Sequence, residues 1–349
     1  MMVLLVTATA MAVLAAPAAS APESPLDKLS GTSVSFVVVD RETGSVWAEH
    51  DAHAQYRSAS LVKLLIALDY LESRGPGVEV PPDDRALLES MLGSSDDEAA
   101  SELWVRDGWE TIVERMADRL DLTDTEPPAD RRVWGYTATS AADVARIYEY
   151  LLDEADPSVS EFIVGNLRKA TRCAVDGRDQ YFGIPSAVDE PWAVKQGWSG
   201  YGEVVPGEEC RERIGRGKVP GAPEEIPAIR DVAIRAQADR GPHIDLTRRA
   251  MHTSGTIGAD HDTIMVLLSL HPEGTPYQDS AQQVTATTRA LYLTVKVSPA
   301  DPVGRWPDVE SRWRGISLAL SGGGASDPRS SECRQLWCPW HVVRRDCPL

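Results

Sequence analysis

The sequence predicts an α+β domain whose antiparallel sheet is built from both ends of the chain, with an all-helical subdomain inserted between them. Three observations predict this class. β-type runs occur at 33–50, helical periodicity follows over 56–170, and β-type runs return at 191–272 before a last helical pattern at 280–295. Strands at both ends of a block of helices are typical of α+β architecture.

The first predicted element is a β-hairpin. Residues 33–40, "SVSFVVVD", and 44–50, "GSVWAEH", are rich in β-branched and aromatic residues and flank the turn sequence "RETG". Two such runs around a glycine-containing turn indicate paired antiparallel strands.

The middle of the chain is predicted to be helical. In "YRSASLVKLLIALDYL", residues 56–71, leucines recur at helical spacing, so one face of this helix would pack in a core. Similar periodicity predicts helices over 83–107, 109–122, 139–155 and 158–170, the third of them capped by Ser140. The proline-bearing sequence "PPADRRVWGY" is predicted to be a loop.

The C-terminal half is predicted to supply three more strands and a helix. The β-type runs are 191–197, 250–258 and 261–272, which together with the hairpin complete a five-stranded sheet. The last helix is predicted to start at Ser280, with Gln283 placed for a capping box.

The predicted domain covers residues 26–295, with the helical subdomain at about 60–185 and an insert at 199–247. The insert is rich in Gly, Pro and charge, and a connection of this length indicates either a functional rim or a disordered loop. Residues 296–349 lack clear periodicity and are predicted to be a poorly ordered tail.

Residues 1–21 are predicted to be a signal peptide. They form an apolar run followed by small residues, with A-x-A cleavage options ending at Ala18 or Ala21. We therefore expect a secreted, extracytoplasmic protein. No cysteine lies near either option, so no membrane anchor is expected. In an oxidising compartment Cys173 and Cys210 could pair.

The composition excludes two classes of partner. The chain has 35 Lys and Arg against 53 Asp and Glu, a formal net charge of −18. This acidity argues against nucleic acid and against anionic membrane surfaces as partners. The histidines show no metal-site spacing, and we expect no cofactor, no metal and a monomeric protein.

Ser60 and Lys63 form the motif S-x-x-K at the start of the first predicted helix. Positions i and i+3 share a helix face, so the hydroxyl and the amine would lie side by side. A lysine desolvated by apolar neighbours can act as the base that activates a serine nucleophile. The structural alternative is an N-cap serine beside a lysine whose amine reaches solvent.

Two further motifs carry polar groups. "SSDDEAASELW" places Ser95 and Asp97 at a helix start, where the structural interpretation is capping and the functional one is a hydroxyl that relays a proton. "AVKQGWSG" places Lys195 and Gly197 at the end of a strand. The glycine would let a ligand approach the backbone, and the lysine would offer its charge to a carboxylate.

In this order the three motifs resemble the S-x-x-K, S-D-N and K-T-G set of class A β-lactamases and penicillin-binding proteins. The resemblance covers roughly residues 26–295, and the predicted order of elements is also similar to that fold. The sequence "KQGW", followed later by "HTSG", further resembles uncharacterised secreted actinobacterial serine hydrolases of this fold.

The resemblance implies a role for each matching residue. Ser60 would be the acylated nucleophile, Lys63 the base or part of it, and Ser95 the proton relay. Lys195 would bind the substrate carboxylate, and the backbone N–H groups of Ser60 and Trp198 would form the oxyanion hole, usually the largest single contribution in acyl transfer. The expected substrate-binding residues are Asp97, Gln196, Gly197 and Trp198.

Three positions depart from the family pattern. Asp97 replaces an asparagine, and an ionised aspartate cannot donate to a substrate carbonyl. Gln196 replaces a smaller threonine. Class A enzymes also carry a glutamate that positions the deacylating water on the loop before the helix at 139–155. Here the only glutamate of that loop is Glu126, for which a catalytic role and a solvated loop carboxylate both stay open.

Two functions are therefore expected. The first is an exported acyl-serine hydrolase in which Ser60 attacks a β-lactam or a D-alanyl-type amide or ester, a small-molecule or peptidoglycan-derived substrate. The alternative is a non-catalytic or slowly deacylating protein that binds cell-wall fragments. His252, on a strand that borders the predicted site, is expected to be structural.

Overall fold

The computed structural model describes residues 31–75, 77, 79–211 and 244–297. The predicted signal peptide, most of the predicted insert and nearly all of the predicted tail lie outside these residues. The described part contains one five-stranded sheet with helices on both of its faces.

The sheet is antiparallel throughout and has the order β2-β1-β7-β6-β5. β1 pairs with β7, so the two ends of the domain meet in the middle of the sheet, and the predicted fold class is confirmed. A separate two-stranded ladder joins β3 to β4. The strands are β1 (Ser33–Asp40), β2 (Ser45–His50), β3 (Tyr56–Arg57), β4 (Ala138–Thr139), β5 (Trp192–Ser199), β6 (Arg249–Ile257) and β7 (Thr263–His271).

The helices divide into a group that follows β3 and a single long helix after β7. They are α1 (Lys63–Glu72), α2 (Pro82–Gly93), α3 (Asp97–Arg106), α4 (Thr111–Leu120), α5 (Ala141–Asp153), α6 (Pro157–Leu167), α7 (Ile184–Ala187) and α8 (Tyr277–Val297). Short 3-10 turns occupy Ala59–Val62 and Trp134–Tyr136.

Alternate residues of the central strands pack on opposite sides of the sheet. Val37 and Val266 contact the core that contains α1 and α5, whereas Phe36 and Leu267 contact the core that contains α8. This period of two follows from strand geometry. Because helices cover both faces, β1 and β7 are buried along nearly their whole length and read as almost continuous apolar runs.

α1 is the central helix of the larger core. Every residue from Lys63 to Leu71 is buried, because α2, α3, α4 and α6 surround the helix. A helix that is buried all round shows a weaker apolar stripe than a surface helix does. A lysine at its first position is consequently held inside the protein.

Two predicted helix starts were wrong. Tyr56 and Arg57 form β3, since they pair with Thr139 and Ala138, and α1 begins only after the 3-10 turn. The last helix begins at Tyr277, and Ser280 lies inside it. Gln283 accepts a hydrogen bond from Thr32 Oγ1 (3.2 Å) and does not serve a capping box.

Candidate active site

The predicted nucleophile lies on a turn between β3 and α1. Ala59, the residue before Ser60, has a φ of +47°, a left-handed conformation that is uncommon for a residue with a Cβ. Neither Ser58 nor Ser60 caps the helix with its side chain. Within the described residues the hydroxyl of Ser60 makes no hydrogen bond, and Ser60 is only 6% exposed. The N-cap interpretation of Ser60 therefore does not apply.

Lys63 is fully buried, so its amine does not reach solvent. Its Nζ donates to the carbonyl oxygen of Ser95 (2.7 Å) and to Oδ1 of Asp97 (2.5 Å), and lies 3.4 Å from Oγ of Ser95. The centroid of the Trp134 ring is 5.0 Å from the same Nζ, within the range of a cation–π contact. The charge of this buried lysine is thus paired with a carboxylate whose side chain is 67% exposed.

Ser95 lies in the break between α2 and α3. Its neighbour Asp96 is the N-cap of α3, since the Asp96 carboxylate accepts hydrogen bonds from the N–H groups of Glu98 (3.0 Å) and Ala99 (3.1 Å). Capping is therefore the task of Asp96. The backbone of Ser95 is left-handed, with a φ of +55°. The Ser95 hydroxyl lies 2.8 Å from Nζ of Lys195.

Lys195 approaches Ser95 from β5, on the side of the sheet opposite to Gln196. It is 1% exposed, and its Nζ donates to the carbonyl oxygen of Gln196 (3.1 Å). Burial lowers the pKa of Lys195 well below its usual range, and the nearby charge of Lys63 lowers it further. Ser254 Oγ donates to the Lys195 carbonyl oxygen (2.8 Å) and lies 3.1 Å from the buried hydroxyl of Tyr148, which braces this strand.

Gly197 allows β5 to pass close to the Ser60 turn. A Cβ atom at this position would lie 3.2 Å from the carbonyl oxygen of Ser58 and 3.3 Å from the backbone N of Ser60. Such a contact leaves little space for a side chain. It brings the N–H of Ser60 next to the strand that carries Trp198, as the predicted oxyanion hole requires.

The indole of Trp198 is fixed by a residue that sequence reasoning missed. Its Nε1 donates to Oδ2 of Asp176 (2.8 Å). Asp176 lies on a turn that is tied to the segment after β5 by a disulfide between Cys173 and Cys210. Burial raises the pKa of Asp176, and the negative charge of Asp97 contributes to the same shift. No sequence motif marks Asp176, although its nearness to Cys173 was a weak signal.

Gln196 lies outside this cluster. Because side chains alternate along a strand, it points to the face opposite Lys195 and Gly197. There its Nε2 donates to the carbonyl oxygens of Gln180 (3.3 Å) and Phe182, and the residue is 1% exposed. Its predicted role in substrate binding stays a prediction, and in this arrangement its side chain does not line the same face as Lys195.

Glu126 also lies apart from the cluster of hydroxyls and amines. Its carboxylate is exposed and accepts a hydrogen bond from Nε2 of Gln55 (2.8 Å), while its backbone pairs with Ala138. No hydrogen bond joins it to Ser60 or Lys63. From the loop that precedes α5, the residue that does reach Lys63 is Trp134. The catalytic role of Glu126 stays a prediction.

His252 is fully buried behind the site. Its Nδ1 accepts from the backbone N–H of Ser269 (3.2 Å), and its Nε2 lies 2.9 Å from the carbonyl oxygen of Arg57. Burial lowers the pKa of His252 to about 3. These contacts hold a neutral ring between two backbone groups, as a structural histidine requires.

The described part of the chain has neither a cluster of candidate metal ligands nor a helix suited to cross a membrane. Residues 31–211, apart from 76 and 78, and 244–297 hold no group of three or more His, Cys, Asp or Glu side chains placed to bind a metal ion. Within the same ranges, none of the helices combines the length and the apolar character that crossing a membrane requires.

Sequence comparisons give partial matches. No family model matches the chain. Curated relatives from Mycobacterium bovis and from two strains of Mycobacterium tuberculosis, each named "Putative lipoprotein LppW", are 39% identical over 173 residues. The match covers 48% of this chain and 54% of each relative, so the chain spans about half the length of the curated relatives it matches.

Solved structures match over a larger part of the chain. A class A β-lactamase from Mycobacterium abscessus is 14% identical in sequence and matches with a TM-score of 0.52. The match covers 78% of this chain and 96% of the β-lactamase chain. A mutant of PBP-A in an acyl-enzyme complex with penicillin G is 10% identical with a TM-score of 0.53, and covers 78% and 94%. The β-lactamase from Streptomyces albus G is 14% identical with a TM-score of 0.53, and covers 77% and 96%. The chain therefore has the fold of class A β-lactamases and penicillin-binding proteins.

Proposed function

We propose that this protein is an exported acyl-serine hydrolase that forms an acyl-enzyme at Ser60 with β-lactams or with D-alanyl-type amides and esters. The observation that carries this proposal is the position of the Ser95 hydroxyl. It lies 2.8 Å from Nζ of Lys195 and 3.4 Å from Nζ of Lys63, beside the turn that carries Ser60. Two buried amines around one hydroxyl are expensive for folding, and such arrangements concentrate at functional sites.

The proposed reaction proceeds through a covalent intermediate. Ser60 Oγ forms a bond to the substrate carbonyl carbon, and the N–H groups of Ser60 and Trp198 stabilise the oxyanion. The carbon–nitrogen or carbon–oxygen bond then breaks, and the serine proton passes through a lysine amine to the leaving atom. Water later cleaves the acyl-serine ester. The expectation that Lys63 is the base stays a prediction.

Three observations support export. The predicted signal peptide covers residues 1–21, and the curated relatives carry the name of a lipoprotein. Cys173 and Cys210 form a disulfide, and structural disulfides persist mainly in oxidising compartments. Fractionation of cells that express the full chain, followed by immunoblotting, tests the location. Retention in the cytoplasm at full length would contradict it.

The acylation itself can be tested directly. The protein is incubated with a fluorescent penicillin and, separately, with a neutral activated ester, and the intact mass is then measured. We expect an adduct on the wild type and none on Ser60→Ala. Ser58→Ala is the matched control, because this buried serine is two residues away and its hydroxyl only contacts the Ala59 carbonyl oxygen (3.3 Å). If neither probe labels Ser60 in the wild type, the proposed function is wrong.

A second candidate is a protein that binds cell-wall fragments and releases them slowly or without chemistry. The observation that favours it is that, among the described residues of the loop before α5, Trp134 and no carboxylate contacts Lys63. Calorimetry with purified muropeptides separates the candidates. A non-catalytic binder would bind them saturably, would show no covalent adduct, and would keep its affinity in Ser60→Ala.

A further inference from the structure

The surroundings of Lys63 suit an ammonium group. The carbonyl oxygen of Ser95 and the carboxylate oxygen of Asp97 can only accept hydrogen bonds, and they take two of its protons. The third direction leads to Ser95 Oγ at 3.4 Å. A neutral amine could still donate to both of these oxygens, but Asp97 would then lose its counter-ion. The partners of Lys63 therefore match a cation.

The surroundings of Lys195 differ from those of Lys63 because, among the described residues, they contain no carboxylate partner. Its amine has one partner that can only accept, the carbonyl oxygen of Gln196 (3.1 Å), and one that can also donate, the hydroxyl of Ser95 (2.8 Å). No carboxylate within the described residues lies within salt-bridge distance of it, whereas Asp97 is in direct contact with Lys63. A neutral amine fits here: one N–H donates to Gln196, and the lone pair accepts from the Ser95 hydroxyl.

We propose that Lys195, acting through the Ser95 hydroxyl, is the group that accepts the proton of Ser60, while Lys63 serves as a fixed cation paired with Asp97. This assignment rests on the proposed function, and it gives Lys195 the role of base that the family resemblance implies for Lys63. The replacement of asparagine by Asp97 is its cause, because only a charged side chain at this position fixes the proton on Lys63.

The charges that face Lys195 come from three elements. Lys63 lies on α1, Asp97 begins α3, and Asp176 lies on the turn that carries Cys173. Burial is the largest influence, and it lowers the pKa of Lys195 well below its usual range. The cation of Lys63 acts in the same direction, and the two carboxylates oppose it. Asp97 is in direct contact with Lys63 and not with Lys195, so its carboxylate favours a positive charge on Lys63.

Each proton that leaves one group on this path is accepted by the next group. The Ser60 hydroxyl loses its proton to Ser95 Oγ, and Ser95 simultaneously passes its own proton to Nζ of Lys195. Ser60 Oγ bonds to the carbonyl carbon, and the oxyanion forms. When the bond to the leaving nitrogen or oxygen breaks, the proton returns from Lys195 through Ser95 to that atom. Within the described residues no hydrogen bond joins Ser60 Oγ to Ser95 Oγ, and catalytic contacts often tighten only when substrate binds.

The protonation states can be measured without any reaction. Lysine occurs only at positions 28, 63, 169, 195, 218 and 296, so a chain labelled with ¹³C at Cε gives few NMR signals. Single Lys→Arg variants assign them, and a variant that fails to fold is assigned by elimination. We expect Lys195 to titrate at a lower pH than the other lysines. If the signal of Lys63 instead titrates below that of Lys195, the proposal is overturned.

Matched variants test the catalytic role. Lys63→Arg keeps a cation for Asp97, and Lys195→Arg keeps a donor for Ser95 but cannot accept a proton. With a neutral activated ester, which has no carboxylate to bind, we expect Lys195→Arg to lower the acylation rate constant about 100-fold or more, as for loss of a general base. Lys63→Arg should lower it less than about tenfold, since its cation remains.

The pH profile separates this proposal from the proposed function. In the wild type the acylation rate should fall below the pH at which the NMR signal of Lys195 titrates. Thermal unfolding verifies that both variants fold. If Lys195→Arg acylates like the wild type and Lys63→Arg does not, Lys63 is the base and the proposal fails, while Ser60 acylation stands. Absence of any adduct in the wild type would instead reject the proposed function.

Discussion

The indole of Trp134 lies 5.0 Å from the amine of Lys63, and this contact closes the loop before α5 over the nucleophile turn. Its neighbour Gly135 approaches Ala59, where a Cβ on the glycine would lie 3.7 Å from the Ala59 Cα. Trp134 Nε1 also donates to Ser101 Oγ (3.1 Å), which fixes the ring. From the described loop before α5, an aromatic ring and no carboxylate therefore contacts Lys63.

The first prediction concerns the lifetime of the acyl-enzyme. Within the described residues, no carboxylate of the loop before α5 lies beside Lys63 to position a water molecule, so we expect penicilloyl-Ser60 to persist for hours after free penicillin is removed. The measurement is intact mass against time after gel filtration, with nitrocefin hydrolysis followed in parallel. Rapid multiple turnover of nitrocefin would contradict it.

The second prediction concerns Glu126. Its carboxylate is exposed and bound to Gln55 Nε2, so Glu126→Gln should leave the acylation and deacylation rates unchanged within about twofold, the range typical of surface substitutions. Gln55→Glu, which places a like charge against Glu126, is the companion variant. A large loss of deacylation in Glu126→Gln, with acylation intact, would give this carboxylate the catalytic role.

The motifs could be located from the sequence because the residues of each motif are close together in the chain. Ser60 and Lys63 are one helical turn apart, Ser95 lies just before α3, and Lys195 lies within β5, not at the strand end that the sequence predicts. The roles were harder to assign, because Lys63 and Lys195 differ only through their three-dimensional neighbours. Contact between Lys63 and Asp97 spans 34 positions in the chain and has no periodic signal.

Elements that depend on distant pairing could not be predicted in the same way. Tyr56 and Arg57 looked helical because leucines follow them, yet they form β3 by pairing with residues of β4. Trp134 and Asp176 reach the site only through tertiary packing. The fold class was predictable because the sheet strands carry their own β-type composition, and burial on both faces reinforces that pattern.

The third prediction concerns Asp97→Asn. An asparagine can donate to a substrate carbonyl, whereas the ionised carboxylate repels its oxygen. One added neutral hydrogen bond contributes about 1 kcal/mol, so penicillin binding before acylation should tighten about fivefold. The measurement is the concentration dependence of the labelling rate. Glu98→Gln removes the same charge from the next residue of α3 and should leave binding unchanged; an equal gain there would point to a general charge effect.

The fourth prediction concerns the disulfide between Cys173 and Cys210. It closes a loop over a sequence separation of 37 that contains β5 and the turn with Asp176. Replacing both cysteines by serine should lower the free energy of unfolding by about 2–4 kcal/mol, mainly by loosening the unfolded chain. Urea unfolding measures this, and Cys333→Ser, which leaves the disulfide intact, is the control. Equal stability of the double variant and the wild type would refute it.

The last prediction concerns acid stability. Burial lowers the pKa of His252 to about 3 and that of His271 to about 4 in the folded protein, below the ordinary value near 6.5 that the unfolded chain keeps. Between these values the unfolded state binds more protons. The folded state is therefore fully favoured above about pH 6.5 and loses stability as the pH falls towards 4, by about 2 kcal/mol per histidine at pH 5.

Urea unfolding at pH 7 and pH 5 measures this loss, and His252→Gln should remove about half of it, because glutamine can donate and accept without becoming charged. His53 is the matched control: its side chain is 72% exposed, and its hydrogen bond with Asp124 raises its pKa. This pKa shift has the opposite sign, so it favours the folded state at low pH. His53→Gln should therefore not reduce the loss of stability between pH 7 and pH 5. If His252→Gln keeps the full loss between pH 7 and pH 5, the buried histidine is not its source.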